Sequence, residues 1–499
     1  MFQLPTVKDN LARYIDAGFP ILYIHTFEEA KADELIKSAA GTSEVLEWNG
    51  ANGFVDFLTK TPFMQNQQLE STLNFLKSDK ELHRKLLVIK DAHDLIDTKE
   101  IIALLKEIAR KIRRADVGID STIIIVSSSI RIPQALEKMT TVLELDYPDE
   151  YEISGIIKKY LEHNEIPAIS GQLLNEMSRA FKGLTEFEIE DLVRLAISED
   201  GDLTNKALSL IFDQKQQMIL KAGILEMIPL KESIADIGGL ENLVQWLKNK
   251  AEIIKNIKSA LDFGVTMPKG VLIAGIPGCG KSLCAKAAGH LFNVPLLRLD
   301  MGRIMGRYVG ESEENMRRAI RLAEAISPCV LWVDELEKAL AGTKGGQEVT
   351  TRLLGSFLTW MQEKTSATFI VATANDITGL PPELMRKGRF DDIFYVPLPN
   401  PYERKKIFEI HIGKRRKQDL ASIDVAALVK KTEGYSGADI EGVVAESIEN
   451  AFIAQKVALT TEDILNCISN TQSLSVIMDK ELGKMVAEYE KRKLNCASR

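Results

Sequence analysis

The sequence predicts an α/β fold, a parallel sheet with helices on both faces, and it predicts that arrangement twice. Short apolar runs bounded by turn residues alternate with helical patterns, as in buried parallel strands covered by helices. The runs come in matching pairs: Val271-Leu272-Ile273-Ala274 with Ile21-Leu22-Tyr23-Ile24, Val330-Leu331-Trp332-Val333 with Leu86-Leu87-Val88-Ile89, and Phe369-Ile370-Val371-Ala372 with Ile123-Ile124-Ile125-Val126. A glycine-rich pattern, Gly275-Ile276-Pro277-Gly278-Cys279-Gly280-Lys281-Ser282, joins the first strand of the second copy to a helical run, Leu283 to Phe292. A strand before and a helix after are the context in which that pattern cradles phosphates.

Composition narrows the function. Of 499 residues, 45% are hydrophobic and 27% charged, an ordinary core-forming balance. The formal net charge of -8 argues against a nucleic-acid binder, which carries a basic excess. No apolar run approaches the roughly 18 residues of a membrane span. The start, Met1 to Asn10, lacks the basic-then-apolar order of a secretory signal. Five cysteines, none in a CxxC pair, give neither zinc spacing nor a disulfide framework. A reducing location is expected, cytoplasmic or the stroma of a plastid.

Taken in order, the first α/β domain is expected over 1–200 and a helical linker over 201–235, where Leu203 to Ala222 reads helical. The second α/β domain follows over 236–400, a helical domain over 401–470 and a helical tail over 471–499. Pro399-Asn400-Pro401-Tyr402-Glu403 resembles Pro148-Asp149-Glu150-Tyr151-Glu152, and Tyr402 to Gly437 and Tyr151 to Glu186 are both 35 steps. An unrelated α/β domain is the alternative for the first copy.

The chemistry lies in the second copy. Glycines let the backbone wrap closely round phosphate oxygens, and the helix start that follows adds positive charge. Lys281 is expected to reach the outer phosphates of ATP and the Ser282 hydroxyl to hold Mg²⁺. The strand Leu331-Trp332-Val333 ends in Asp334-Glu335. Asp334 is expected to orient the metal, and Glu335 to polarise the attacking water. Glu337 and Lys338 read as surface helix charges. Cys279, beside a cation and a helix start, is a candidate for a lowered thiol pKa.

With these residues in hand, the chain from Asp236 to Asn470 resembles the AAA ATPases. Asp236-Ile237-Gly238-Gly239 is similar to the family's entry segment, whose backbone lies beside the adenine. Asn375, in Ala372-Thr373-Ala374-Asn375, is similar to the first sensor. Leu384-Met385-Arg386-Lys387-Gly388-Arg389-Phe390-Asp391 resembles the arginine-finger segment, which implies that Arg386 and Arg389 reach a neighbouring subunit's site. Gly434-Tyr435-Ser436-Gly437-Ala438-Asp439 resembles the second-sensor segment of the lid, where Gly437 and Ala438 approach the nucleotide. Tyr308-Val309-Gly310-Glu311 resembles the first pore loop, whose aromatic grips a threaded polypeptide. The resemblance implies a homo-oligomer, commonly a six-membered ring. Trp360-Met361-Gln362-Glu363-Lys364 departs from the Asp-Gly-Phe segment often found there. The whole chain is similar to an AAA family of plastid and cyanobacterial genomes with a nucleotide-free first half and a helix-forming tail.

The first copy lacks the chemistry. Ala30-Lys31-Ala32 stands where Gly280-Lys281-Ser282 would, and Glu28-Glu29 bring negative charge. Lys90 is matched with Asp334, Ser129 with Asn375 and Glu186 with Gly437. No arginine pair surrounds Glu137-Lys138-Met139. A degenerate module serving as scaffold or partner-binding layer is expected. His25 and His93 lack companions at metal-ligand spacing, and Lys414-Arg415-Arg416-Lys417 reads as a solvated face. Two functions follow: an oligomeric ATPase that remodels proteins, or an ATP-binding regulatory or scaffold module with slow hydrolysis and no threading.

Overall fold

The computed structural model describes residues 7–63, 68–78, 84–92, 94–113, 121–128, 130–200, 203, 207–221, 223–304, 311–337, 347–377, 380–386, 388–492 and 494–499. They form two compact units, one of Met1–Tyr147 with Thr185–Asp191, the other of Pro148–Leu184 with Leu192–Arg499.

The first unit runs α1 (Val7–Asp16), β1 (Ile21–His25), α2 (Glu29–Ala39), β2 (Glu44–Asn49), β3 (Gly53–Asp56), α3 (Leu69–Ser78), β4 (Lys85–Lys90), α4 (Lys99–Ile112), β5 (Thr122–Ser127) and β6 (Thr140–Glu144). Its sheet has the order β3-β2-β4-β5-β1-β6, parallel except for β3 against β2. Both faces are covered, which is why these strands read as unbroken apolar runs. Ile21, Tyr23, Leu87 and Ile125 pack on one face with Leu73 of α3 and Leu105 of α4. Leu22, Ile24, Val88 and Ile124 pack on the other with Leu11 of α1 and Ile36 of α2.

Next come α5 (Glu150–His163), α6 (Gly171–Ala180), α7 (Glu186–Asp200), α8 (Ala207–Lys221) and β7 (Leu225–Ile228). The units divide after Tyr147, whereas a boundary at 200 is expected from the sequence. The linker expected to be helical over 201–235 also carries β7, which pairs antiparallel with the second sheet. Its pattern, Leu225 and Met227 buried and Glu226 and Ile228 half-exposed, is that of an edge strand.

The second sheet is built from β8 (Gly270–Gly275), β9 (Leu296–Leu299), β10 (Cys329–Val333), β11 (Thr368–Ala374) and β12 (Asp392–Val396). The helices between them are α11 (Lys281–Phe292), α12 (Met301–Ile304), α13 (Glu311–Ile326) and α14 (Gln347–Glu363), with α9 (Glu241–Lys255) and α10 (Ile257–Asp262) before β8. A helical lid follows: α15 (Pro401–Arg415), α16 (Val425–Lys431), α17 (Gly437–Ile453) and α18 (Thr461–Asn470). The tail holds α19 (Leu474–Ile477) and α20 (Asp479–Arg492), but it closes with a strand, β13 (Asn495–Cys496), and so is not wholly helical as expected. That strand forms because β12 offers a free edge.

The second sheet has the order β13-β12-β8-β11-β10-β9-β7. Its five central strands therefore repeat the order of β6-β1-β5-β4-β2 in the first. Helix starts repeat as well. Asp149 with Glu152 and Asn400 with Glu403 form capping boxes on α5 and α15. In each copy, 36 positions later, a hydroxyl stands at the next such start: Thr185 bonded to Glu188, Ser436 to Asp439.

The ladders correct the residue matching. Ile21 faces Ile123, while Val271 faces Val371. Ile123 therefore answers to Val371, two places beyond Phe369. A two-residue slide leaves every side chain on its face, so apolar runs could not fix it. Lys90, level with Val126, then takes the place of Glu335 rather than Asp334. Ser127 takes that of Asn375; Ser129 lies outside the described residues.

Candidate active site

A cleft of about 600 Å³ opens at the C-terminal ends of β8, β10 and β11, where parallel sheets hold ligands. The entry segment, the phosphate loop, the acidic pair and the lid all line it. Gly278 and Gly280 take left-handed φ of 73° and 89°, which favours glycine. A Cβ on Gly278 would also meet the Ser436 hydroxyl at 2.9 Å and the Ala438 methyl at 3.0 Å. The Gly278 carbonyl accepts the Ala438 N–H at 2.9 Å, and a Cβ on Gly437 would meet that carbonyl at 3.1 Å. The lid segment thus touches the phosphate loop directly, with Gly437 and Ala438 both lining the cleft.

Lys281 is buried, and its ammonium donates to the carbonyls of Gly275 at 2.9 Å and Ile276 at 2.8 Å. Burial pushes its pKa down to about 8. Gly275 and Ile276 thereby hold the lysine, while Pro277 through Leu283 face the cleft. Cys279 lies there too, but burial pushes its thiol up to about 12, the reverse of the lowered pKa its neighbours suggest. Desolvation outweighs the Lys281 charge.

The acidic pair is braced by β11. Thr373 Oγ1 donates to Asp334 Oδ1 at 2.6 Å and accepts the Glu335 N–H at 3.1 Å. Ser282 Oγ stands 3.4 Å from the same Asp334 oxygen, and Arg298 pairs with Asp334 Oδ2 at 3.6 Å. Glu335 has a left-handed φ of 49°. Its Oε1 accepts the Asn375 side-chain N–H at 3.2 Å. The Asn375 backbone N–H donates to Glu337 Oε1 at 3.0 Å. Glu337 is therefore not a freely solvated surface charge: it is half-buried beside these groups, and that burial raises its pKa. Sequence reasoning also missed Thr373. Its signal was a hydroxyl near the C-terminal end of β11, two places before Asn375, which directly follows the strand.

The entry segment meets the lid's first helix. Asp236 and Ile237 line the cleft, and Asp236 pairs with Lys414 at 2.5 Å, which lowers its pKa. A Cβ on Gly238 would strike Ile407 at 2.5 Å, and one on Gly239 would strike Glu403 at 2.5 Å. The Leu240 N–H donates to Glu403 Oε1 at 3.0 Å.

The fit to a nucleotide rests on a loop with left-handed glycines at 278 and 280 and no room for a side chain at Gly275 or Gly278, an ammonium resting on carbonyls, and a hydroxyl beside a carboxylate, the hard oxygen donors Mg²⁺ takes. Arg386 is exposed and Arg389 half-buried, and neither lines this cleft. Tyr308, Val309 and Gly310 lie outside the described residues, as do His93 and Lys338. No described group of His, Cys, Asp or Glu forms a metal cluster by itself, and no described helix is long and apolar enough to cross a membrane.

Comparisons with known proteins bear on the same regions. Residues 271–398 match the model of the ATPase family associated with various cellular activities (AAA), and 422–466 match the AAA+ lid domain. Residues 7–145 match the N-terminal domain of SpoVK-like AAA ATPases, and 151–222 their second domain. The uncharacterized AAA domain-containing protein ycf46 of Guillardia theta is 34% identical over 491 residues, covering 97% of this chain and 95% of that protein. The ycf46 protein of Pyropia yezoensis is 35% identical over 480 residues, 95% of each. A proteasome-activating nucleotidase of Thermococcus onnurineus is 30% identical over 294 residues, 58% of this chain and 72% of that one. With a phosphate loop, a braced acidic pair and a lid around one cleft, and relatives matching it along nearly its whole length, the chain belongs to the AAA ATPase family.

Proposed function

We propose that the chain hydrolyses ATP at one site per chain, that copies assemble into a ring, most simply of six, and that the ring remodels a protein substrate. The carrying observation is the chain of contacts Ser282–Asp334–Thr373–Glu335–Asn375. It joins the phosphate loop to a carboxylate poised for water.

In this reading Lys281 leaves the carbonyls of Gly275 and Ile276 for the outer phosphates. Bound Mg²⁺ would neutralise developing phosphate charge, with Ser282 and Asp334 to hold it. Glu335 orients the attacking water, and Asn375 fixes Glu335 and senses the terminal phosphate. Arg386 and Arg389 complete the site of the next copy, which agrees with their lying outside their own cleft. The ring, its protein substrate and Tyr308 as the gripping residue rest on the family resemblance and on kinship with the proteasome-activating nucleotidase. The Asp-Gly-Phe departure leaves the chemistry untouched.

The test is ATP turnover per subunit over a wide range of protein concentration, with Glu335→Gln as the blank. Specific activity should rise with concentration and vanish in the blank. Binding without turnover, or turnover independent of concentration, would favour the regulatory module instead.

A further inference from the structure

The described residues of the segment after the lid, 471–498, touch the lid, β12, the start of α9, and the segments bearing Asn375 and Met385. It leaves the lid at Leu474, whose N–H donates to Asp439 Oδ2 at 3.2 Å. That same oxygen accepts the Ser436 N–H at 2.8 Å in the capping box of α17. Ser475 packs so closely on Gly434, at a left-handed φ of 77°, that a Cβ there would meet its hydroxyl at 2.2 Å. The segment is thus tied to the part of the lid that faces the phosphate loop.

Helix α20 then crosses to the sheet. Tyr489, 2% exposed, stacks on Tyr395 of β12 with ring centroids 4.0 Å apart. Its hydroxyl donates to the Asn375 carbonyl at 3.4 Å. Arg492, held by Glu488 at 2.7 Å, directs Nη1 to Met385 Sδ at 2.8 Å, in the residue before Arg386. β13 adds to β12, and Asn495 donates to Asp392 at 2.7 Å. The buried Ala497 donates to the Tyr395 carbonyl at 2.8 Å. Its own carbonyl accepts the N–H groups of Asn242 at 3.0 Å and Leu243 at 3.2 Å.

Those two donors belong to the first turn of α9, whose N-cap Leu240 has no capping side chain. First-turn N–H groups require an acceptor from elsewhere, and here the tail supplies it. Asn375 is held likewise from two sides. Its side-chain and backbone N–H groups go to Glu335 and Glu337, and its carbonyl to Tyr489. β13 pairs with the strand edge, and Ala497, just past it, caps α9. The Tyr489 hydroxyl and Arg492 reach further: the first meets the carbonyl of Asn375, and the second meets Met385, next to Arg386.

We propose that 474–498 is a strap that carries the lid's angle to Asn375 and to the segment bearing Arg386, with Tyr489 and Arg492 as its positioning residues. This rests on the reading of Asn375 as sensor and Arg386 as finger.

The test uses the full chain with Tyr489→Ala, Tyr489→Phe and Arg492→Ala, and Glu335→Gln as the blank. Three quantities are read: kcat, the Kd for ATP, and ATP-dependent protection from hydrogen exchange in peptides covering Asn375 and Met385. Tyr489→Ala and Arg492→Ala should each lower kcat about 10- to 100-fold, the scale of small misplacements remote from the chemistry. Kd should stay within about threefold, because the binding groups are untouched. The ATP-dependent protection should disappear. Tyr489→Phe, which keeps the ring stack, should fall between these variants and the wild type. A kcat within about twofold of the wild type with protection intact overturns the strap. If the wild type shows no Glu335-dependent turnover, the proposed hydrolysis fails, and exchange alone decides: protection lost in Tyr489→Ala supports the strap, protection retained overturns it. If Tyr489→Ala does not fold, Tyr489→Phe and Arg492→Ala decide by the same readings.

Discussion

At the ends of β8, β10 and β11 the second sheet sets Lys281, Asp334 and Glu335 around a cleft of about 600 Å³. At the matching ends of β1 and β4 the first sheet sets Lys90, 5% exposed, against Asp33 at 2.7 Å and Glu47 at 3.5 Å. Lys60 closes the group, pairing with Glu47 at 2.5 Å and Asp33 at 3.5 Å. The strand order is the same and the charges are reversed: an ammonium stands at the level of Glu335. In one sheet the polar groups at the strand ends line an open cleft, and in the other the charged groups pair with one another. Position in a fold therefore offers a site, and side-chain chemistry decides whether it stays open.

The sharpest way to break this comparison is to remove the first sheet's cation. Lys90→Met leaves Asp33 and the buried Glu47 to share Lys60, and should destabilise the first unit by about 3 kcal/mol, read from denaturant unfolding. A loss near zero would mean that the cluster does not close the first site. The matching change in the second sheet should act on the ligand instead. Lys281→Met should weaken ATP binding about 100-fold by calorimetry with little loss of stability. In the same titration the wild type should bind one ATP per chain; two would reopen the first sheet as a nucleotide site.

Lys215 sharpens the contrast between paired and unpaired burial. It is 3% exposed, donates to the Ala180 carbonyl at 2.8 Å, and burial pushes it from 10.5 down to about 7. Between these values the unfolded chain holds the extra proton, so this lysine's contribution to stability rises with pH across the window and costs most below about pH 7. Lys215→Met should therefore stabilise the protein, with the gain about 2 kcal/mol larger near pH 6 than near pH 9. Thermal unfolding at the two pH values checks it; an equal gain at both would place the charge in contact with water.

Much of this was legible in the sequence because the signals were local. The phosphate loop carries its own strand and helix, and Asp334-Glu335 mark a strand end. The strands of both sheets showed as apolar runs because both faces are buried. What escaped depends on pairing across distance. Nothing in Ile123 to Val126 distinguishes a slide of two residues, and nothing near Asn495 announces a strand, since β12 alone creates the need for one. Thr373 and Glu337 were passed over because their roles come from neighbours 38 or 39 residues away. Cys279 was misjudged because proximity to a cation is visible in sequence and desolvation is not.

Glu403 has a consequence of its own. One of its oxygens closes the capping box of α15 by accepting the Asn400 N–H, and the other accepts the Leu240 N–H beside the entry segment. Gly238 and Gly239 lie too close to Ile407 and Glu403 to admit even a methyl group. The entry segment and the start of the lid helix are therefore packed as one joint, so a tilt of the lid bears directly on the cleft wall formed by Asp236, Ile237 and Gly238.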